Sequence, residues 1–131
     1  MQAPSDSAPG FSLQPRLRVF EGGRMVLGWG KIMLLRQVRE TGSIAEAARR
    51  MEISYNHAWT LVRGMNESFR DPLVEASRGG RGRGGALITP AGETVLRLYQ
   101  EMAAECLKAT ETQWKSLRGL LKPEAEGTGL E

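Results

Sequence analysis

The chain has one cysteine and one histidine in 131 residues. A single Cys106 excludes an intrachain disulfide, and one thiol far in sequence from one imidazole leaves no ligand set for structural zinc. Paired carboxylates in a pocket-like context, a Ser/His/Asp set and a metal-binding cluster are all missing. No enzymatic activity and no cofactor is therefore expected. No apolar run approaches the roughly 18 residues that a membrane span needs. Residues 1–15 are rich in Pro, Ser and Ala, without a basic start or an apolar stretch. They do not read as a signal peptide and are expected to be a disordered tail. The lone thiol and the missing membrane and export signals point to a reducing cytoplasm.

The hydrophobic content of 40% is enough for a core. The length suits one domain, or one domain with a dimerising arm. The net charge is only +3, but it is unevenly placed. Residues 24–83 hold eleven Lys/Arg against six Asp/Glu, an excess of five positive charges. Residues 91–131 hold five against seven, an excess of two negative charges. Arginine dominates the basic stretch, which suits contacts with phosphate and guanine.

The most informative segment is 42–64, which has the pattern of two short helices joined by a tight turn. Ser43 is placed to cap the first, with Glu46 at the third position to complete a capping box. Ile44, Ala47, Ala48 and Met51 follow at helical spacing, and the two alanines allow a close crossing. Glu52-Ile53 falls at the turn, with Ile53 as a plug. Ser54 is a second N-cap. The helix after it is expected to bury Ala58, Trp59, Val62, Met65 and Phe69. Tyr55, Asn56, His57, Thr60 and Arg63 are left outward. A helix whose first turns show such donors and acceptors suits the major groove of double-stranded DNA, where base edges carry a distinct code.

The flanks extend the pattern. Residues 16–27 form two short β-prone runs around Gly22-Gly23, a hairpin signal. Trp29–Thr41 is expected to be a helix with Ile32, Leu35, Val38 and Leu34 inward and Gly42 as its C-cap. Asp71-Pro72 ends the helix that opens at Ser54. Residues 73–77 and 86–89 are strands around a glycine-rich loop that carries Arg78, Arg81 and Arg83. Three helices and a two-stranded hairpin make a winged helix-turn-helix, with the loop as wing tip on phosphate or in the minor groove. Gly80, Gly82 and Gly85 match Gly-x-Gly-x-x-Gly, but a strand follows them where a dinucleotide site needs a helix.

Thr89-Pro90 opens the last helix as N-cap and first helical residue, with Glu93 supporting the cap. That helix is expected to run to Arg118. Val95, Tyr99, Met102, Cys106, Ala109, Gln113 and Leu117 make a near-heptad seam with Trp114 beside it. A second copy of the chain is the expected cover for this stripe. The alternative is packing on the chain's own hairpin and first helix. The fold expected is mainly α with small β, a winged helix-turn-helix with an N-terminal β-hairpin and a long C-terminal dimerisation helix. Its parts are a tail at 1–15, a DNA-binding domain at 16–89, the dimerisation helix at 90–118 and a tail at 119–131.

The motifs carry a resemblance. Gly42-Ser43-Ile44, Ile53-Ser54-Tyr55 with Ala58-Trp59, Met65-Asn66, the loop 79–86 and Leu87-Ile88-Thr89 resemble the N-terminal DNA-binding domain of the molybdate-responsive ModE regulators. The likeness covers about residues 16–118. The helix-turn-helix and Thr-Pro-Ala-Gly-Glu are also similar to LysR-type regulators, but the Ser-Tyr-x-x-Ala-Trp start and the long glycine-rich wing favour ModE. The resemblance implies a dimeric bacterial repressor or activator on palindromic operators, often at molybdate-transport genes. It implies dimer contacts in the hairpin region and the last helix. It places Ser54, Tyr55 and Asn56 at the start of the recognition helix and Arg81 and Arg83 in the wing. Full-length ModE proteins continue into β-barrel domains that bind molybdate, whereas residues 119–131 read as a tail, so sensing by that pocket is not expected of these residues.

The site residues expected for DNA are thus Ser43, Arg49, Arg50, Ser54, Tyr55, Asn56, His57, Thr60, Arg63, Arg78, Arg81 and Arg83. Those expected at a homodimer interface are Val95, Tyr99, Met102, Cys106, Trp114 and Leu117. The competing readings are a LysR-like DNA-binding domain and a protein-interaction module that kept the winged fold. Replacing Arg81 and Arg83 by Glu separates DNA binding from the latter.

Overall fold

A computed structural model describes residues 10–77 and 85–123. The chain divides into two units, Arg16–Tyr99 and a second made of Met1–Pro15 with Gln100–Glu131. The first opens with an antiparallel hairpin, β1 (Val19–Glu21) and β2 (Arg24–Leu27). Gly22 at its turn has a φ of 61°, a left-handed conformation that glycine adopts without a Cβ clash. Helices α1 (Trp29–Thr41), α2 (Ile44–Met51) and α3 (Tyr55–Ser68) follow. A second antiparallel hairpin, β3 (Val74–Ser77) and β4 (Gly85–Ile88), pairs Val74 with Ile88 and Ser77 with Gly85. The next helix, α4 (Pro90–Ala109), begins in this unit. This is the winged helix-turn-helix that the sequence predicts.

The core follows from helical spacing. Ile32, Leu34, Leu35 and Val38 of α1 are fully buried, as expected. Against them pack Ile44, Ala47 and Ala48 of α2, Ala58, Val62 and Met65 of α3, and Leu73, Val74 and Ala86 of the wing base. Leu96 and Tyr99 of α4 join the same cluster. Each large aliphatic side chain removed from water contributes about 1.5–3 kcal/mol. Trp59, Ile53 and Phe69 are only partly buried, less than expected. Among the described residues no buried side-chain polar atom lacks a hydrogen-bond partner.

The caps that shape the motif are present, with two changes of partner. Ser43 Oγ accepts from the Glu46 backbone N–H at 3.0 Å. The reciprocal half of the capping box is not made. Thr41 Oγ1 already accepts from the Ser43 N–H at 3.2 Å, and the Glu46 carboxylate pairs with Arg49. Glu93 likewise leaves its cap for Arg39, at 3.2 Å. The turn between α2 and α3 closes on Glu52, which has a φ of 59°. The Ile53 N–H reaches back to the Ala48 carbonyl at 3.0 Å, satisfying one end of α2.

Three contacts fix the wing base. Asn66 Oδ1 accepts from the backbone N–H groups of Leu73 (2.8 Å) and Val74 (3.2 Å), and Asn66 Nδ2 donates to the Val74 carbonyl at 2.9 Å. Thr89 Oγ1 donates to the Pro72 carbonyl at 2.7 Å and accepts from the Gly92 N–H at 3.0 Å. The Ala86 N–H donates to the Gly42 carbonyl at 2.9 Å. Gly92 is required by packing, since a Cβ there would lie 2.5 Å from both the Leu73 carbonyl oxygen and Ile88 Cγ1.

The sequence predicts one helix from Pro90 to Arg118, but there are two. α4 ends at Ala109 and α5 spans Glu111–Leu120, with Thr110 between them at φ −106° and ψ 11°. Thr110 Oγ1 donates to the Cys106 carbonyl at 2.7 Å. Such back-bonding by a β-branched hydroxyl residue bends helices. The Thr110 N–H to Cys106 and Trp114 N–H to Thr110 bonds continue across it, so the periodicity of the seam runs through the bend unmarked. The expected boundary at residue 89/90 also moves. Gly92, Leu96 and Tyr99 are buried in the first unit, so the opening turns of α4 belong with the winged helix-turn-helix. In the second unit Leu13 and Pro15 join Cys106, Thr110, Gln113, Trp114 and Leu117 around an apolar groove of about 280 Å³. Residues 1–9 and 124–131 of the expected tails lie outside the described residues.

Candidate nucleic-acid interface

The start of α3 is set by Ser54, whose Oγ accepts from the His57 backbone N–H at 3.0 Å. The cap leaves Ser54 exposed at a helix end whose unpaired N–H groups favour an anion. The side chains of Ala58, Val62 and Met65 fix one face of α3 in the core. The helical period then forces Tyr55, Asn56, His57, Thr60 and Arg63 outward, and all five are exposed. This is the arrangement expected from the sequence.

Asn56, Trp59, Thr60 and Arg63 line a shallow groove of about 420 Å³. They fall at the positions i, i+3, i+4 and i+7 of one helix stripe. Trp59 was expected on the buried face. It packs partly on the core and also opens into this groove, so it is a groove residue that the sequence argument placed on the buried face alone. Its spacing to Asn56 and Arg63 is the signal that identifies it. Tyr55 meets Trp59 in a T-shaped contact, with 6.4 Å between ring centroids. The Thr60 hydroxyl donates to the Asn56 carbonyl at 3.0 Å, so its proton is engaged by the helix itself.

The arginines expected to hold a DNA backbone divide into two kinds. Arg63 is exposed beside the groove. Arg49 pairs with Glu46, and the hydrogen bond from Arg49 holds the Glu46 carboxyl below the usual carboxylate range. Arg50 donates to Gln37 Oε1 at 3.1 Å and lies 3.4 Å from Glu40. Pairs this exposed are weak, so a phosphate can displace them. Ser43 is half-buried, and its oxygen serves the α2 cap. Arg78, Arg81 and Arg83 lie outside the described residues.

Other cations have structural partners. Lys31 Nζ donates to the Met25 carbonyl at 3.3 Å and the Val26 carbonyl at 3.2 Å, fastening β2 to α1. Burial, and then the charge of Arg24, pushes its pKa down. Arg16 and Arg36 both lie over the Trp29 ring, at 4.5 and 5.6 Å from its centroid.

The expected dimer residues separate along α4 and α5. Tyr99 is 4% exposed, and its hydroxyl donates to the Leu17 carbonyl at 3.2 Å. Burial pushes the phenol pKa up. Val95 packs partly on the same core. Both are covered by their own chain, in line with the alternative of intramolecular packing. Met102 and Leu117 are about half exposed, while Cys106 and Trp114 are partly buried along the groove of the second unit. Among the described residues no cluster of His, Cys, Asp or Glu is placed to hold a metal ion. No helix among them is long and apolar enough to cross a membrane.

With this geometry in view, comparison with known proteins is informative. A family model described as the bacterial regulatory helix-turn-helix protein, lysR family, matches residues 29–93. The chain is 41% identical over 96 residues to the molybdenum-pterin-binding protein MopB of Rhodobacter capsulatus, covering 73% of this chain and 35% of that protein. It is 42% identical over 82 residues to the transcriptional regulator ModE of Yersinia pestis, covering 63% and 31%. It is 38% identical over 73 residues to the DNA-binding transcriptional dual regulator ModE of Escherichia coli K12, covering 56% and 28%. The chain thus spans about a third of the length of these relatives. The crystal structure of a CbnR_DBD–DNA complex has a protein fold similar to this one, with a TM-score of 0.51 at 18% identity over 67% of this chain and 95% of that one.

Proposed function

We infer the function from the family to which residues 29–93 belong, the LysR-type bacterial regulatory helix-turn-helix family, with ModE and MopB proteins among the chain's relatives. On that premise we propose that it is a cytoplasmic transcriptional regulator, a binding protein and not an enzyme, that acts as a homodimer on a palindromic operator in double-stranded DNA. One observation carries the reading: α3 is held to the core by Ala58, Val62 and Met65 while Tyr55, Asn56, His57, Thr60 and Arg63 all face outward beside Trp59. Asn56 suits an adenine edge, and Arg63 a guanine or phosphate. Arg49, Arg50 and the wing residues Arg78, Arg81 and Arg83 hold the backbone. Met102, Cys106, Trp114 and Leu117 supply the stripe that a second copy covers, and the two α3 helices enter half-sites one turn of DNA, about 34 Å, apart.

Selection from random duplexes, followed by mobility shift, tests this. One palindromic sequence should be preferred, with binding that weakens steeply as salt rises. Arg81→Glu with Arg83→Glu should lower affinity about 100-fold through two lost phosphate contacts and two repulsive ones. No preferred sequence at low salt, or undiminished binding by the double variant, sinks the reading and favours an interaction module.

A further inference from the structure

The groove on α3 combines features that a purely polar reading surface does not need. Trp59 lines it and also packs partly on the core, which restrains its side chain before any partner arrives. Tyr55, exposed beside the groove, meets the Trp59 ring in the T-shaped contact. Thr60, whose hydroxyl proton goes to the Asn56 carbonyl, keeps its γ-methyl group as an apolar contribution to the lining. Asn56 stands at the same groove with both an amide donor and an acceptor. An A·T pair presents in the major groove the thymine 5-methyl group beside the adenine N6 and N7, while a G·C pair presents no methyl. The residues that line the groove carry the same two parts, apolar surface on Trp59 and Thr60 and an amide on Asn56, with Arg63 beside them.

We propose that this groove selects a thymine by its 5-methyl group, received by Trp59, the Thr60 methyl and the Tyr55 ring, with Asn56 on the edge of the paired adenine. The assignment rests on the DNA-binding reading above and adds a base identity and the residues that choose it. Trp59 is thereby a specificity-determining residue as well as a core contact.

The test separates this assignment from that reading. A duplex obtained by selection is remade with each thymine replaced in turn by deoxyuridine, which deletes the methyl and leaves the hydrogen-bonding edge intact. Binding is followed by fluorescence anisotropy. One position in each half-site should lose about fourfold in affinity, the effect of one buried carbon. Because Trp59 also supports the core, the variants are Tyr55→Ser and Thr60→Ser, checked for wild-type helix content by circular dichroism. In each the deoxyuridine penalty, read as the ratio of affinities for the thymine and deoxyuridine duplexes, should shrink. If a preferred sequence is found but no thymine is sensitive, or if the penalty is undiminished in both variants, the assignment is overturned and the regulator reading stands. If no sequence is preferred, both fall.

Discussion

Helices α1 and α5 use similar materials to opposite ends. α1 has four side chains fully removed from water, whereas α5, with Trp114, Leu117 and Leu120 at helical spacing, buries none of its residues. Leu117 is 52% exposed and Leu120 is 83% exposed. A stripe in sequence therefore states that a face is apolar, not that the same chain covers it. α1 meets α2, α3 and the wing base. On our proposal α5 and the far part of α4 wait for another molecule. This contrast can be broken at several points.

The largest effect is expected for Leu35→Ala, which should cost about 2–5 kcal/mol in urea unfolding, independent of protein concentration. Leu117→Ala should cost under about 0.5 kcal/mol in a dilute monomer and instead shift the dimer equilibrium seen by sedimentation. A concentration-independent loss at Leu117 as large as at Leu35 would erase the distinction between the two helices. Gly92→Ala comes next. The backbone carbonyl of Leu73 cannot easily yield to the new methyl, so a loss of about 1–3 kcal/mol or more is expected by the same measurement.

A pH titration sharpens the boundary between the units at Tyr99. Its folded pKa is raised by burial. The folded state therefore keeps the proton after the unfolded chain has lost it, and the contribution is present below about pH 10 and lost above it, with a slope of at most about 1.4 kcal/mol per pH unit. Lys31, with its lowered pKa, acts in the opposite sense: its stabilising trend rises with pH up to the ordinary lysine value. Comparison of wild type with Tyr99→Phe isolates the phenol. The variant should lose less stability between pH 10 and 11, and equal losses would contradict burial of this ring in its own chain. Smallest is Glu52→Gly, which relieves a left-handed residue in the turn and should raise stability by up to about 1 kcal/mol in thermal unfolding.

Much of the fold was legible because its signals are short-range. Gly42, Ser43, Ser54 and Thr89-Pro90 fix helix ends through contacts a few residues away, and these ends are where they were expected. The outward set on α3 followed from period alone. Long side chains with two nearby options were less legible. Glu46 and Glu93 were expected at caps; Glu46 takes Arg49 one turn along its own helix and Glu93 takes Arg39 of α1, choices whose cost is too small for sequence to rank. The bend at Thr110 was hidden because the hydrogen bonds around it preserve the helical count. Trp59 was given only the inner face because a binary inside-or-outside pattern allows one, whereas its side chain packs partly on the core and also lines the groove.

The Asn66 amide has a mechanical consequence. One side chain of the outward helix satisfies three backbone groups at the start of the ribbon, so the rod and the root of the ribbon are yoked. A load taken up at either is transmitted to the other without passing through a pliable hinge, and neither can loosen alone.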